Sequence, residues 1–344
     1  MKNSYYILIG ILLVSCSGET PQAKQEVAQM NSNEQSNQKT LSAEHINAHI
    51  KDDPNNPNNY NRRSLYHFEQ GNYSLALDDI ERAIKIAPSV APFYFTRGKI
   101  YQKAMRLEDA KIAYDQCLLL DEKHIEANIG LAKILLINSQ YNEAMRHINT
   151  ALKENKYVAD GYYLKGLIYL ETGDSLNASR SFQTTVEQNS DHLEAYNILG
   201  LMYANAGNDL AIEYYNTALS IKPQDSTVIY NLAKYYQDTD RYNKSVENYN
   251  RLIHSYPNHF NAHFNLGYIF YISGSKREDL LKSIDYYTSA LTINPKSKEA
   301  FYNRGLVREE LGKVAVAKKD YELALSIDHS YTPAARALSM LNRK

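Results

Sequence analysis

Small and large apolar positions recur along this chain in fixed registers, about every 34 residues, from Pro57 to Tyr331. One position is always small: Ser64, Gly98, Ala132, Gly166, Gly200, Ala233, Gly267, Gly305. Later in each unit a second is always small: Ala76, Ala110, Ala144, Ala178, Ala211, Ser245, Ser283, Ala317. Four residues after it comes a large one: Ile80, Tyr114, Ile148, Phe182, Tyr215, Tyr249, Tyr287, Tyr321. An offset of four puts both on one face of a helix. Each unit therefore predicts two short helices, A and B, whose backbones approach at the small positions. A further mostly small position on helix B (Ala83, Cys117, Ala151, Thr185, Ala218, Leu252, Ala290, Ala324) packs on the next unit. Proline ends helix B at Pro88, Pro223, Pro257 and Pro295. The prediction is all-α, and units that cannot bury their apolar faces alone must stack.

The clearest copy runs Tyr196-Asn-Ile-Leu199-Gly200-Leu-Met-Tyr203, then Ala211-x3-Tyr215, then Pro223. It resembles the tetratricopeptide (TPR) repeat. The resemblance implies a right-handed superhelical solenoid of about eight helix-turn-helix repeats, a scaffold that holds other proteins. Two copies depart from the period: the fifth is one residue short near Gly207–Ala211, and the seventh is about four residues long around Ser275–Leu281. The family's tryptophan is absent, and tyrosine or phenylalanine opens helix A at Tyr60, Tyr94, Tyr162, Tyr196 and Phe301. Flanking the repeats of 57–331, residues 41–56 read as an N-terminal capping half-repeat and 332–344 as a C-terminal capping helix, which a stack needs for solubility.

The first residues read as an address. Lys2 precedes an apolar run, Tyr5–Val14, of about 15 Å as a helix, half a bilayer core. Residues 1–15 are expected to be a signal peptide. The ending Leu13-Val14-Ser15-Cys16 resembles a bacterial lipobox, which implies that Cys16 carries a lipid anchor. Residues 16–40, rich in Gln, Asn and Ser, read as a lipidated disordered tether. By resemblance to bacterial lipoproteins, with composition pointing to a Bacteroidota source, the expected location is the cell envelope, on the outer membrane facing the periplasm.

Charge and chemistry narrow the function. The formal net charge is −1, and −2 once residues 1–15 and with them Lys2 are removed, so no field draws the chain to nucleic acid. Phosphate-cradling and nucleophile-elbow motifs are absent, so no catalytic residue is assigned. The pairs His45/His49 and His259/His263 lack convergent third ligands, so no metal and no cofactor is expected. Adjacent carboxylates such as Glu309-Glu310 are expected to point to different helix faces as solvated charges. Asp174-Ser175-Leu176 and Asp225-Ser226-Thr227 resemble a short O-glycosylation acceptor.

In the family the A helices line a concave groove. Here the groove positions of repeats six to eight hold Tyr230, Asn231, Lys234 and Gln237, then Phe264, Asn265, Tyr268 and Tyr271, then Tyr302, Asn303, Leu306 and Glu309. By resemblance, such asparagines hydrogen-bond a ligand backbone while the aromatics supply contact area. A lysine–arginine clamp for a C-terminal carboxylate is not expected, because Glu299 and Asn303 stand where it would need cations. Repeats three to five offer Ile129, Leu136, Ile137, Tyr163, Leu167, Leu170 and Leu201 as an expected second apolar surface. The expectation is an adaptor in an envelope complex that binds an extended peptide or helix of a protein partner. The alternatives are a self-associating homo-oligomer and a carbohydrate-binding protein using the groove aromatics.

Overall fold

The computed structural model describes residues 43–274 and 276–343, and Cys16, the tether and Ser275 lie outside them. The described residues form eighteen α-helices with no strand. They divide into two compact units, one ending at Ala195 and one starting at Tyr196.

Unit 1 contains α1 (Ala43–Asp52), then four pairs: α2 (Pro57–Glu69) with α3 (Tyr73–Ile86), α4 (Ala91–Lys103) with α5 (Leu107–Leu120), α6 (Ile125–Ile137) with α7 (Tyr141–Glu154), and α8 (Ala159–Glu171) with α9 (Ser175–Gln188). The boundary runs through the start of α10 (Leu193–Asn205). Unit 2 continues with α11 (Leu210–Ile221), the pairs α12 (Ser226–Asp238) with α13 (Tyr242–Ser255), α14 (Phe260–Ser273) with α15 (Arg277–Ile293), and α16 (Lys298–Glu310) with α17 (Val314–Ile327), and ends with α18 (Thr332–Arg343).

The small positions lie where the helices of a pair meet. A Cβ added at Gly98 would fall 2.5 Å from the Tyr114 ring, at Gly166 2.6 Å from Phe182, and at Gly200 2.6 Å from Tyr215. Those three large residues are at most 1% exposed. Where serine takes a small position, its hydroxyl bridges the pair. Ser64 donates to the Ala76 carbonyl at 2.7 Å, Ser245 to Ala233 at 2.8 Å, and Ser283 to Gly267 at 2.7 Å. The polar atom is thus satisfied inside a dry contact.

The opening tyrosines have a second use. Tyr60 donates to the Pro54 carbonyl at 3.0 Å and Tyr94 to Pro88 at 2.8 Å, six residues back in each case. In repeat seven His263 Nε2 lies 2.9 Å from the Pro257 carbonyl at the same register. The irregular repeats adjust at helix B: α11 has 12 residues where most B helices have 14, and α15 has 17, so much of the insertion becomes an extra helical turn.

The expected second apolar surface is not open. Ile129, Leu136, Tyr163 and Leu167 are only 2–6% exposed, and Ile137, Leu170 and Leu201 are half-buried. In unit 1, α6 packs on both α4 and α8 as well as on its own B helix, and this lateral contact covers the side chains on α6 and α8.

Candidate partner-binding groove

The predicted groove residues of repeats six to eight all lie in unit 2, and the structure sorts them into wall and floor. Tyr230, Phe264 and Tyr302 are half-buried wall. Each packs against the tyrosine of its own helix B: Tyr230 on Tyr249 (centroids 5.9 Å apart), Phe264 edge-on to Tyr287 (5.5 Å), Tyr302 on Tyr321 (5.9 Å). Tyr268 stands out at 38% exposure, and Tyr271 is half-buried beside it. Lys234 is closed into an ion pair with Asp238 one turn on.

The asparagine row has partners inside the protein. Asn265 is 9% exposed and donates its amide N–H to the Tyr249 hydroxyl at 2.8 Å. That hydroxyl donates in turn to Gln237 Oε1 at 3.0 Å. Asn231 donates to Asn197 Oδ1 at 3.0 Å. Asn303 approaches the Tyr287 hydroxyl without a well-formed hydrogen bond. Each of these asparagines follows a buried helix-B tyrosine by sixteen residues: Tyr215 and Asn231, Tyr249 and Asn265, Tyr287 and Asn303. Where unit 1 has Ile148 in the tyrosine position, Leu164 stands sixteen residues on, and both are fully buried. A glycine, Gly130, follows Tyr114, and a Cβ there would fall 3.0 Å from the Tyr114 hydroxyl oxygen. Of the three Tyr–Asn pairs only Tyr249 and Asn265 are joined by a hydrogen bond, and the Tyr215 and Tyr287 hydroxyls are buried without one. This pairing was visible in the sequence as a recurring offset of sixteen.

Histidine N-caps were missed. His124, His192 and His259 accept the backbone N–H of Ala127, Ala195 and Ala262 at their Nδ1 (3.3, 3.3 and 3.2 Å). Each ring also packs at a tilt against an aromatic of the preceding A helix: Phe95 at 4.9 Å, Tyr163 at 4.5 Å, Tyr230 at 5.4 Å. The signal was again an offset, twenty-nine residues in each pair. Burial lowers the pKa of His192 and His259, because a charged ring would lose solvation. His259 and His263 are therefore occupied by local hydrogen bonds. Among the described residues no group of three or more His, Cys, Asp or Glu is placed to hold a metal ion. Cys117 is buried, and burial pushes its thiol up to about 12. Asp174 and Asp225 cap α9 and α12 through backbone N–H groups, a structural use for the first residue of each acceptor-like tripeptide.

At the C-terminal end of unit 2 the floor deepens into a cleft between α14, α16 and α18, lined by Tyr271, Tyr302, Leu306, Glu309, Glu310, Arg336 and Met340 among others. Glu309 and Glu310 both line it, Glu309 half-buried at its expected groove position and Glu310 exposed. Helices approach α16 from both sides here, so residues about 100° apart on its surface border one space.

Sequence models of the tetratricopeptide repeat match residues 57–90, 91–124 and 298–331 and, in a second version, 163–226 and 230–280, together more than half of the chain. The chain belongs to the tetratricopeptide repeat family. Among solved structures, the fold is similar to pilF of Pseudomonas aeruginosa (17% identity, TM-score 0.54, covering 58% of this chain and 92% of that one). It is equally similar to PilW, described as a widely conserved type IV pilus biogenesis factor (18%, 0.54, 58% and 94%). At such identities the likeness is one of TPR fold. Human Tetratricopeptide repeat protein 6 is 30% identical over 117 residues, 33% of this chain and 22% of that protein. Human Protein O-mannosyl-transferase TMTC1 is 23% identical over 248 residues, 71% and 23%. The chain spans less than a quarter of the length of these two relatives.

Proposed function

We propose that this TPR protein is an interaction scaffold that receives an extended segment of a protein partner on the A-helix face of unit 2. The observation that carries the reading is the contrast between the units. In unit 1 the A-helix apolar residues are buried or half-buried, whereas in unit 2 Tyr268 and Ile272 on α14 and Met340 on α18 are 38%, 43% and 63% exposed, and Met340 lines the α14–α16–α18 cleft. Exposed aromatics with few rotatable bonds make contact at low entropic cost. The Asn265 amide N–H is used on Tyr249, so aromatic contact rather than that donor supplies most of the binding here. By its sequence, Leu13-Val14-Ser15-Cys16 would hold the scaffold at a bacterial envelope through lipid on Cys16, within an assembly, secretion or maintenance complex.

The test is capture of the native partner from detergent-solubilised membranes with Tyr268→Ala and Tyr302→Ala, after circular dichroism shows unchanged folds. Loss of binding by about tenfold or more in Tyr268→Ala is expected for a central aromatic contact. Wild-type capture by both variants would place recognition elsewhere. A Leu167→Glu change is not a usable control, because Leu167 is buried and a charge there unfolds unit 1.

A further inference from the structure

The outward side of unit 1 carries an apolar pair that the repeat itself does not use. On α5 the residues two and nine positions after the small residue Ala110 are Ile112 and Leu119, 56% and 85% exposed. They are seven apart and share the face of α5 opposite the buried Ala110, Tyr114 and Cys117. In every other repeat the register of Ile112 holds a charged residue, Asp78 before it and Arg146 after it. The register of Leu119 holds a charged or polar one, with Lys85 and Lys153 on either side. The fold therefore needs no apolar side chain at either place, and the pair marks a contact outside the single chain.

The neighbouring face of α3 supplies the chemistry of the partner. Arg97 of α4 donates to Glu81 of α3 at 2.9 Å and to Gln116 of α5, which sets the two faces side by side. Along its face α3 carries Asp78, Glu81, Arg82 and Lys85, all exposed, with the acids first and the bases after them. Asp78 and Lys85 lie two turns apart, too far to pair with each other, and neither has an ion-pair partner among the described residues. Turned end for end, this pattern is its own complement: Asp78 falls opposite Lys85, and Glu81 opposite Arg82. The same half-turn puts Ile112 opposite Leu119 and Asp115 opposite Gln116.

We propose that the α3–α5 face of unit 1 binds the same face of a second copy of this chain about a two-fold axis, with the helices antiparallel. Such a contact requires a surface that complements itself, which this one does in both its charged and its apolar positions. Ile112 and Leu119 of each copy cover Leu119 and Ile112 of the other, and Asp78 and Lys85 form two ion pairs. Glu81 is already held by Arg97, so the inner pairs add less. Two helix faces per copy fall at the small end of specific interfaces, so the dimer is weak, dissociating in the micromolar range. The contact lies wholly on unit 1 and is independent of the segment proposed to bind unit 2.

The experiment is sedimentation velocity of the intact chain from about 5 to about 500 µM, in a mild detergent that keeps the apolar run Tyr5–Val14 from associating. The native chain is expected to shift from monomer toward dimer across that range. I112E/L119E gives α5 the polar face its neighbours already have, so circular dichroism and melting stay native while association weakens about tenfold or more. D78K sets lysine opposite Lys85 of the other copy and weakens association about two- to fivefold. Adding K85D restores it, because the charges are then exchanged rather than lost. A chain that stays monomeric at the highest concentration overturns the proposal, and so does association that ignores I112E/L119E. A D78K/K85D variant that associates no better than D78K overturns the antiparallel two-fold arrangement.

Discussion

At the scale of residues, hydroxyls and imidazoles do work that a purely apolar repeat would leave undone. Tyr249 is fully buried, and its hydroxyl joins Gln237 to Asn265. Tyr249→Phe is expected to cost about 1–2 kcal/mol, because the glutamine oxygen and the asparagine N–H both lose their partner. Adding Asn265→Leu should recover part of that loss, since Ile148 and Leu164 fill the same two positions apolarly in unit 1. Urea denaturation of the single and double variants gives the coupling directly. The histidine caps make stability depend on pH. His192 and His259 have folded pKa values below their ordinary one, so the unfolded chain binds the protons more readily. Their contribution is complete above about pH 6.5 and is lost as pH falls toward and through the depressed values. Protonation also turns Nδ1 from acceptor to donor and ends the cap. The groups beside His192 act in both directions, Asp160 and Glu194 opposing the shift and Lys133 adding to it. Replacing both histidines by asparagine, a good cap without a titration, should flatten the urea midpoint between about pH 7 and 5 relative to the native chain.

Elements depend on the turns that join them. The residue between helices A and B has positive φ in seven repeats: Gly71, Gly173, Gly207 and Gly312, but also Met105 (φ 60°), Ser139 (58°) and Asp240 (57°). A side chain in this region costs about 1 kcal/mol or more. Met105→Gly and Ser139→Gly are therefore expected to raise stability by about 0.5–1 kcal/mol each, read as a higher melting temperature, and an unchanged or lower one would contradict the turn geometry. The reverse experiment sits at the helix contact. Gly200→Leu places bulk where even a methyl group would lie 2.6 Å from Tyr215, a ring with no exposed surface. A loss of about 1–3 kcal/mol is expected. The transition should broaden too, since each repeat is stabilised by its neighbours.

At the scale of the whole molecule, the proposed anchor lies outside the described residues. Under the proposed lipid anchor, Cys16→Ser leaves the chain in the soluble fraction or as an uncleaved precursor. Each buried methylene of an acyl chain contributes about 0.8 kcal/mol, and several chains together hold tightly. Recovery of the variant in membranes after carbonate washing would remove the anchor from the proposal. Among the described residues no helix is long and apolar enough to cross a membrane, so within them no second anchor of that kind would mask the result.

The helix pairs, their small and large contact positions and the two irregular repeats were legible in the sequence because each depends on spacing within one repeat. Gly200 meets Tyr215, and Ser245 meets Ala233, across distances that a single turn sets. Residues that meet across repeats were not legible in the same way. Asn265 read as a free groove amide until the stack placed Tyr249 against it. Leu136 and Leu167 read as an exposed surface until adjacent A helices covered them. Glu309 and Glu310 read as charges on different helix faces, yet both border the space between α14, α16 and α18. The period of the chain determines which face each residue occupies on its own helix, but burial and hydrogen bonding there depend on what the neighbouring repeats bring up to that face, and only the tertiary structure decides that.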